Sequence, residues 1–132
     1  MDHEVTTLYS HVGGMDFFIY LVDEFYRGVE TDPRLRPMYP DDLTESRHHL
    51  ALFLAQYYGG PRTYSDTRGH PRLRMRHAPF VIGPTERDAW LEHILAAVDQ
   101  MTVDGEPLAP VLRLELIGYF TMAANSMMNV AG

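Results

Sequence analysis

Lysine and cysteine are both absent from this chain of 132 residues. Without a lysine amine, Schiff-base and P-loop mechanisms are excluded, because each of them needs that primary amine. Without a thiol, the chain has no disulfide, cysteine nucleophile or thiolate metal site. A bound metal must therefore be held by histidine, a carboxylate or tyrosine.

The composition is that of an ordinary folded domain, with 45% hydrophobic and 22% charged residues. Such a chain is too apolar to remain disordered and is long enough to bury a core. We predict a single domain over residues 1–132. The sequence shows neither a basic leader nor a long apolar run, which predicts no membrane association and a cytoplasmic location.

The basic residues are all arginine, and five of the eleven lie between Arg62 and Arg76, where Asp66 is the only acid. This segment should attract an anion. One interpretation is a helical module that docks nucleic acid or an acidic partner there. The formal net charge of −7 and the lack of interleaved aromatics argue against that interpretation, so no nucleic-acid partner is expected.

Apolar residues recur at helical spacing along most of the chain, and no stretch alternates as a strand does. Gly13-Gly14 precedes the first long helix, which ends before Asp32-Pro33, and Gly59-Gly60-Pro61 stops the second. Long helices are predicted after Gly14 up to Val29, and from Asp42 to Tyr58, Pro84 to Met101 and Pro110 to Val130. The pattern predicts an all-α domain.

The stretch from Arg62 to Pro79 is polar, lacks periodicity and is interrupted by glycine and proline. It is predicted to be irregular, with one short helix that starts at Pro71. A long irregular segment in a compact domain is more often functional than idle.

Two sets of side chains are candidates for chemistry. His77 is followed by Pro79, which prevents a helix from continuing and so fixes the direction of the imidazole. Tyr26, Tyr39 and Trp90 have apolar bodies and polar tips. They would form a donor-rich pocket if they converged, but spacing also allows core aromatics with their polar ends at the surface.

Three runs of the sequence closely resemble the group II truncated haemoglobins: GGPRTYS at 59–65, RGHPRLRMRHAPF at 68–80 and ERDAWL at 86–91. Gly13-Gly14 and Phe25-Tyr26 fit the same family upstream. The resemblance covers nearly the whole chain. It implies a truncated globin fold, a two-over-two sandwich of helices around non-covalent haem b, with an irregular segment before the proximal helix.

The resemblance also implies roles for individual residues. His77 falls on the position of the proximal iron ligand. Tyr26, Tyr39 and Trp90 fall on the distal hydrogen-bonding positions, Ser46 on the distal-helix position that faces the iron, and Leu50 packs over the haem. The residues expected to contact the cofactor are Arg76 and Tyr64, at the propionates, and Phe53, Leu54, Met75 and Phe80, at the macrocycle.

The implied function is binding of dioxygen and of other small ligands such as carbon monoxide, nitric oxide, cyanide and sulfide. The alternative is a haem enzyme for nitric oxide dioxygenation or peroxide reduction, since a donor cage also stabilises charge in those reactions. That alternative would call for a reductase as partner. A homodimer stays open, because no residue marks a dimer interface.

Overall fold

The computed structural model describes residues 7–69 and 80–130. Within them the regular secondary structure is helical apart from one short hairpin. The elements are α1 (Leu8–His11), α2 (Met15–Val29), a 3-10 helix (Arg36–Met38), α3 (Thr44–Tyr57), α4 (Thr63–Arg68), α5 (Pro84–Gln100), β1 (Thr102–Val103), β2 (Glu106–Pro107) and α6 (Pro110–Met127).

Helix α2 forms the centre of the core. It begins after Gly14, whose φ of 88° lies in the left-handed region that glycine tolerates. The side chains of Phe18, Leu21, Phe25 and Val29 are completely buried, and each stabilises the fold by about 1.5–3 kcal/mol relative to its exposed state. Helix α2 packs against both α3 and α5, while α5 packs against α6.

The other long helices begin at residues that reduce the number of unsatisfied N–H groups in the first turn. The Asp42 carboxylate accepts a hydrogen bond from the Thr44 amide at 2.9 Å, at the start of α3. Helices α5 and α6 both begin with proline, which has no N–H to satisfy. The four long helices therefore occupy the ranges that the apolar spacing predicts, with ends differing by a few residues.

Helices α2 and α5 come together at Gly28. A Cβ atom placed on this residue would clash with the imidazole of His93 on α5. Glycine in a helix interior normally weakens the helix by about 1 kcal/mol relative to alanine. Its presence at position 28 allows His93 to lie against the backbone of α2.

Two elements differ from the sequence predictions. Helix α4 lies within the stretch predicted to be irregular. Tyr64 is buried in the core, and the Gln56 side chain bonds Ser65 at its amide (2.9 Å) and its hydroxyl (2.7 Å). These tertiary contacts stabilise six residues that have little apolar pattern of their own.

The second difference is the hairpin β1–β2, where no strand was predicted. Asp104 and Gly105 form its turn with φ values of 52° and 80°. An Asp-Gly pair with two positive φ angles suits a tight hairpin. With two residues per strand, the hairpin connects α5 to α6 and leaves the domain all-α.

The chain beyond α6 folds back on the segment before α5. The Asn129 amide donates to the Ile82 carbonyl at 2.8 Å, and the Asn129 side-chain oxygen accepts from the Ile82 amide at 2.8 Å. This pair of hydrogen bonds fixes the backbone just before α5.

Over the two described ranges, no helix combines the length and apolarity that a membrane span needs.

Candidate functional site

A cavity of about 340 Å³ lies between the long helices, with apolar side chains forming most of its wall. Its volume falls in the range of small-molecule and cofactor sites. The lining residues are Tyr26, Met38, Tyr39, Pro40, Ser46, His49, Leu50, Phe53, Leu54, Tyr64, Arg68, Phe80, Trp90, Tyr119, Phe120, Ala123 and Met127.

Three polar-tipped aromatic residues converge on this cavity from three different segments. Tyr26 comes from α2, Tyr39 from the segment after the 3-10 helix, and Trp90 from α5. The rings of Tyr26 and Tyr39 meet edge to face, with centroids 5.5 Å apart. The three aromatic side chains therefore share one cavity instead of lying apart.

Trp90 is held by aromatic neighbours on two helices. Its ring packs edge to face against Phe25, at 5.5 Å between centroids, and against Phe120, at 5.9 Å. Its indole N–H is a donor only, so its side-chain hydrogen bond with Tyr39 is accepted by the tyrosine oxygen. That leaves the Tyr39 O–H as a donor for another group.

Burial moves the titration of both tyrosines further above the physiological range. Desolvation raises the pKa of Tyr39 to about 12, although the hydrogen bond with Trp90 partly opposes this shift. Desolvation, with a smaller contribution from Tyr39, also raises the pKa of Tyr26, and its hydrogen bond with Ser46 opposes that rise. The two hydroxyls are therefore available as neutral hydrogen-bond donors.

A polar network beside the cavity joins the end of α2 to α5. The buried Asp32 carboxylate accepts hydrogen bonds from Arg34 at 2.7 and 3.0 Å and lies 2.6 Å from Nε2 of His93. Hydrogen bonding to Arg34, followed by that to His93, holds the Asp32 pKa well below its usual range. His93 lies three residues after Trp90, so this network anchors the turn of α5 that carries the indole.

The same network brings the carboxylates of Asp32 and Glu92 close to His93, a set of side chains that could bind a metal. Arg34 already bridges the two acids, at 2.7 Å to Asp32 and 2.5 Å to Glu92. A guanidinium therefore supplies the positive charge that a metal would bring.

A cationic group borders another part of the cavity. Arg68 on α4 hydrogen-bonds to His49 on α3 at 3.2 Å, and its guanidinium carbon lies 5.9 Å from the centre of the Tyr64 ring. Because Arg68, His49 and Tyr64 all line the cavity, they give its wall a site where an anionic group can be bound.

The structure places nine of the predicted site residues on this one cavity. They are Tyr26, Tyr39, Ser46, Leu50, Phe53, Leu54, Tyr64, Phe80 and Trp90. His77, Arg76 and Met75 lie outside the described residues, as does the short helix predicted from Pro71. Their roles stay predictions.

Sequence reasoning missed several lining residues, namely Met38, Pro40, His49, Arg68, Tyr119, Phe120, Ala123 and Met127. Tyr119, Phe120, Ala123 and Met127 share the apolar face of α6, and that spacing is equally typical of core packing. Arg68 belongs to the arginine-rich segment, which was a usable signal for an anion site. Nothing in the sequence distinguishes His49 from its neighbour His48.

Comparisons with known proteins agree with this architecture. The model of the bacterial-like globin family matches residues 7–126. A curated relative, the group 2 truncated hemoglobin YjbI of Bacillus subtilis, is 40% identical over 116 residues, which cover 88% of this chain and 84% of that protein.

Two solved structures extend the agreement to three dimensions. The hemoglobin of the thermophilic phototroph Chloroflexus aurantiacus is 54% identical, with a TM-score of 0.89 over 96% of this chain and 100% of that one. The truncated oxygen-avid haemoglobin of Bacillus subtilis is 39% identical, with a TM-score of 0.83 over 94% of this chain and 100% of that one. The predicted fold, an all-α truncated globin, is therefore confirmed.

Proposed function

This chain belongs to the group II truncated globins, and from that membership we propose that it holds haem b in the cavity and binds dioxygen and other small ligands there. Membership implies a haem cofactor. The observation that carries the proposal is the convergence of Tyr26, Tyr39 and Trp90 on one apolar cavity.

The described residues fit a haem group. Leu50, Phe53, Leu54 and Phe120 offer the apolar surface that a macrocycle needs. Arg68, with Tyr64 beside it, offers a cationic and a hydroxyl partner suited to propionates. Arg68 is therefore proposed as a propionate partner beside Arg76 and Tyr64, which the resemblance implies. Met75 and Phe80 stay proposed as residues that contact the macrocycle.

When bound, haem would supply an iron that binds small ligands, and the residue proposed to hold that iron is His77. The polar wall residues act on whatever ligand enters. A ligand that gains negative charge on binding is stabilised by the hydroxyls of Tyr26 and Tyr39, the latter oriented by Trp90, because such charge-assisted hydrogen bonds are stronger than neutral ones. Apolar neighbours such as Leu50 and Phe53 keep water from competing for those donors.

The name of the relative from Bacillus subtilis describes it as oxygen-avid. Donors that stabilise a bound ligand slow its release, so the wall formed by Tyr26, Tyr39 and Trp90 supports a high oxygen affinity in this chain as well.

A visible absorption spectrum tests the proposal directly. The protein reconstituted with haem should show a Soret band that shifts when carbon monoxide is added. His77→Gly should lose the normal axial spectrum and regain it with added imidazole. If the wild-type protein gives no Soret band after reconstitution, the haem proposal is wrong; a normal spectrum in His77→Gly would instead assign the axial ligand to another residue.

The enzymatic alternative, nitric oxide dioxygenation or peroxide reduction with a reductase, predicts different kinetics. Brisk turnover of nitric oxide or peroxide, combined with slow oxygen release, would favour it over simple binding. Rapid oxygen release without turnover would exclude it.

A further inference from the structure

The outer side of the wall that carries Tyr26 and Tyr39 is charged. Two arginines, Arg36 and Arg47, lie in a surface groove together with four acidic side chains, those of Asp23, Glu30, Asp41 and Asp42. We refer to Arg36 and Arg47 as the outer arginine pair. Neither arginine lines the cavity. Arg36 contacts the backbone of Tyr39, and Arg47 contacts the ring of Tyr26.

Arg36 holds the backbone from which the Tyr39 ring projects. Its Nη1 donates to the carbonyls of Tyr39 (3.3 Å) and Pro40 (3.0 Å), and its Nη2 donates to the carbonyl of Asp41 (2.8 Å). Tyr39 is the extended residue that ends the 3-10 helix. A planar guanidinium with five donors can span three successive carbonyls, whereas a single ammonium covers fewer of them.

Arg47 acts on Tyr26 from α3. Its guanidinium carbon lies 5.8 Å from the centre of the Tyr26 ring, while its two Nη atoms reach Glu30 at 2.6 Å and Asp23 at 3.6 Å. Asp23 stands on α2 three residues before Tyr26, and Glu30 is the residue that caps the end of α2, four residues after Tyr26. The adjacent residue, Ser46, hydrogen-bonds to Tyr26 from inside the cavity.

We propose that the outer arginine pair positions the two distal tyrosines, Arg36 acting on Tyr39 and Arg47 on Tyr26, so that ligand retention is set partly from the protein surface. The inference rests on the proposed function, because it concerns ligands held in the same cavity. Both arginines are positioning residues, since neither reaches the space that a ligand would occupy.

The two contacts differ in their sensitivity to salt. Arg47 pairs with carboxylates whose side chains are 43% and 48% exposed, and salt screens such pairs. Arg36 binds neutral carbonyls through hydrogen bonds of 2.8–3.3 Å, which salt affects less. Ligand release should therefore depend on ionic strength through Arg47 and not through Arg36.

The test uses haem-loaded Arg36→Met, Arg36→Lys, Arg47→Met and Arg47→Lys. Arg27→Met and Arg113→Met serve as matched controls, because these arginines form exposed ion pairs away from the cavity. The Soret band first establishes that each variant carries haem. Oxygen dissociation is then measured at low and high salt, and tyrosines labelled with carbon-13 at Cζ are followed by NMR in the carbon monoxide complex.

Arg36→Met and Arg47→Met should release oxygen about threefold to tenfold faster, the range expected when one hydrogen bond is weakened. Arg36→Met should shift the Tyr39 resonance and leave that of Tyr26 in place, and Arg47→Met should do the reverse. Relative to the methionine variant at the same position, Arg47→Lys should bring oxygen release part of the way back to the wild-type rate. Arg36→Lys should bring it back by less. The acceleration of oxygen release by salt should disappear in Arg47→Met.

If the arginine variants carry haem but match the Arg27→Met and Arg113→Met controls in both oxygen release and tyrosine resonances, the positioning role is refuted and the proposed function stands. If the wild-type protein takes up no haem, the proposed function fails, and this inference fails with it. Should Arg36→Met not fold, Arg36→Lys decides the case: a wild-type rate with an unmoved Tyr39 resonance counts against the proposal.

Discussion

Two groups of tyrosines in this chain pack in similar ways but differ in what their hydroxyls contact. The distal cluster consists of Tyr26, Tyr39 and their neighbour Trp90. The apolar tyrosine cluster consists of Tyr57, Tyr58 and Tyr119, whose rings lie 4.1–5.8 Å apart between centroids. Burial raises the pKa of hydroxyls in both, to about 12 for Tyr39 and for Tyr119.

The hydroxyls of the distal cluster have polar partners, Ser46 for Tyr26 and Trp90 for Tyr39. The buried Tyr58 hydroxyl has no hydrogen-bond partner among the described residues. The same residue type therefore has partnered hydroxyls in the distal cluster and, at Tyr58, a buried hydroxyl that serves only packing. Whether a hydroxyl can serve as an oriented donor depends on its partners. A buried polar group without a partner costs free energy and is not held in one orientation.

The largest expected difference between the clusters is in ligand release. Tyr26→Phe, which removes a donor, and Trp90→Phe, which releases the Tyr39 hydroxyl that Trp90 orients, should each accelerate oxygen dissociation about 10- to 100-fold, since a hydrogen bond to a charged group contributes about 1.5–3 kcal/mol. Tyr58→Phe should leave the rate unchanged. Stopped-flow displacement of oxygen by carbon monoxide measures all three rates. Equal rates for Trp90→Phe and Tyr58→Phe would remove Trp90 from the distal role.

A smaller effect concerns the hydrogen-bond network of Asp32, Arg34 and His93, which anchors the turn of α5 that carries Trp90. Asp32→Asn should lower the free energy of unfolding by about 1–2 kcal/mol at pH 7, because it weakens buried hydrogen bonds to Arg34 and His93. Asp99→Asn, which weakens an exposed ion pair with Arg113, is the control and should change stability by less than about 0.5 kcal/mol.

The Asp32 effect should also depend on pH. The folded-state pKa of Asp32 is depressed, so its carboxylate stabilises the fold above its unfolded pKa, near 4, and loses that contribution as pH falls below this value. Urea unfolding at pH 7 and near pH 3 should show the difference between wild type and Asp32→Asn shrinking in acid. A difference that stays constant would contradict the assigned role.

The stability effect of Tyr→Phe changes should have opposite signs in the two clusters. Tyr58→Phe removes a buried hydroxyl without a partner and should leave stability unchanged or raise it by about 1 kcal/mol. Tyr39→Phe removes the acceptor of the Trp90 hydrogen bond and should lower stability by about 1 kcal/mol. Thermal unfolding of the two variants beside the wild type measures this. A loss of stability in Tyr58→Phe would mean that its hydroxyl has a partner.

Alkaline titration should show no difference between the two clusters. The pKa values of Tyr26, Tyr39, Tyr58 and Tyr119 are raised, so their neutral forms stabilise the fold below pH 10, and that stability is lost as pH rises further. Absorbance at 295 nm should show these tyrosines ionising late, together with unfolding. Early ionisation limited to Tyr26 and Tyr39 would indicate a hydrated distal wall.

The long helices could be predicted because their apolar faces repeat over many residues and their ends carry proline, glycine or aspartate. Helix α4 could not, since its stability comes from the buried Tyr64 and from Gln56, a residue of another helix. The hairpin turn at Asp104-Gly105 is a local signal, but strands of two residues show no alternation. His49 and Met38 gave no sign of lining a cavity, because their roles depend on neighbours far along the chain.

The sequence by itself determined the chemistry that is available: without lysine or cysteine, amine and thiol chemistry is excluded, and histidine, carboxylate and tyrosine side chains are left as candidate metal ligands. Its long specific runs also indicated the family. Only the tertiary structure decided that Tyr26, Tyr39 and Trp90 share one wall and that Tyr58 does not, because the three come from separate segments. Periodicity reports which face of a helix is buried, whereas the packing of helices decides what that face contacts.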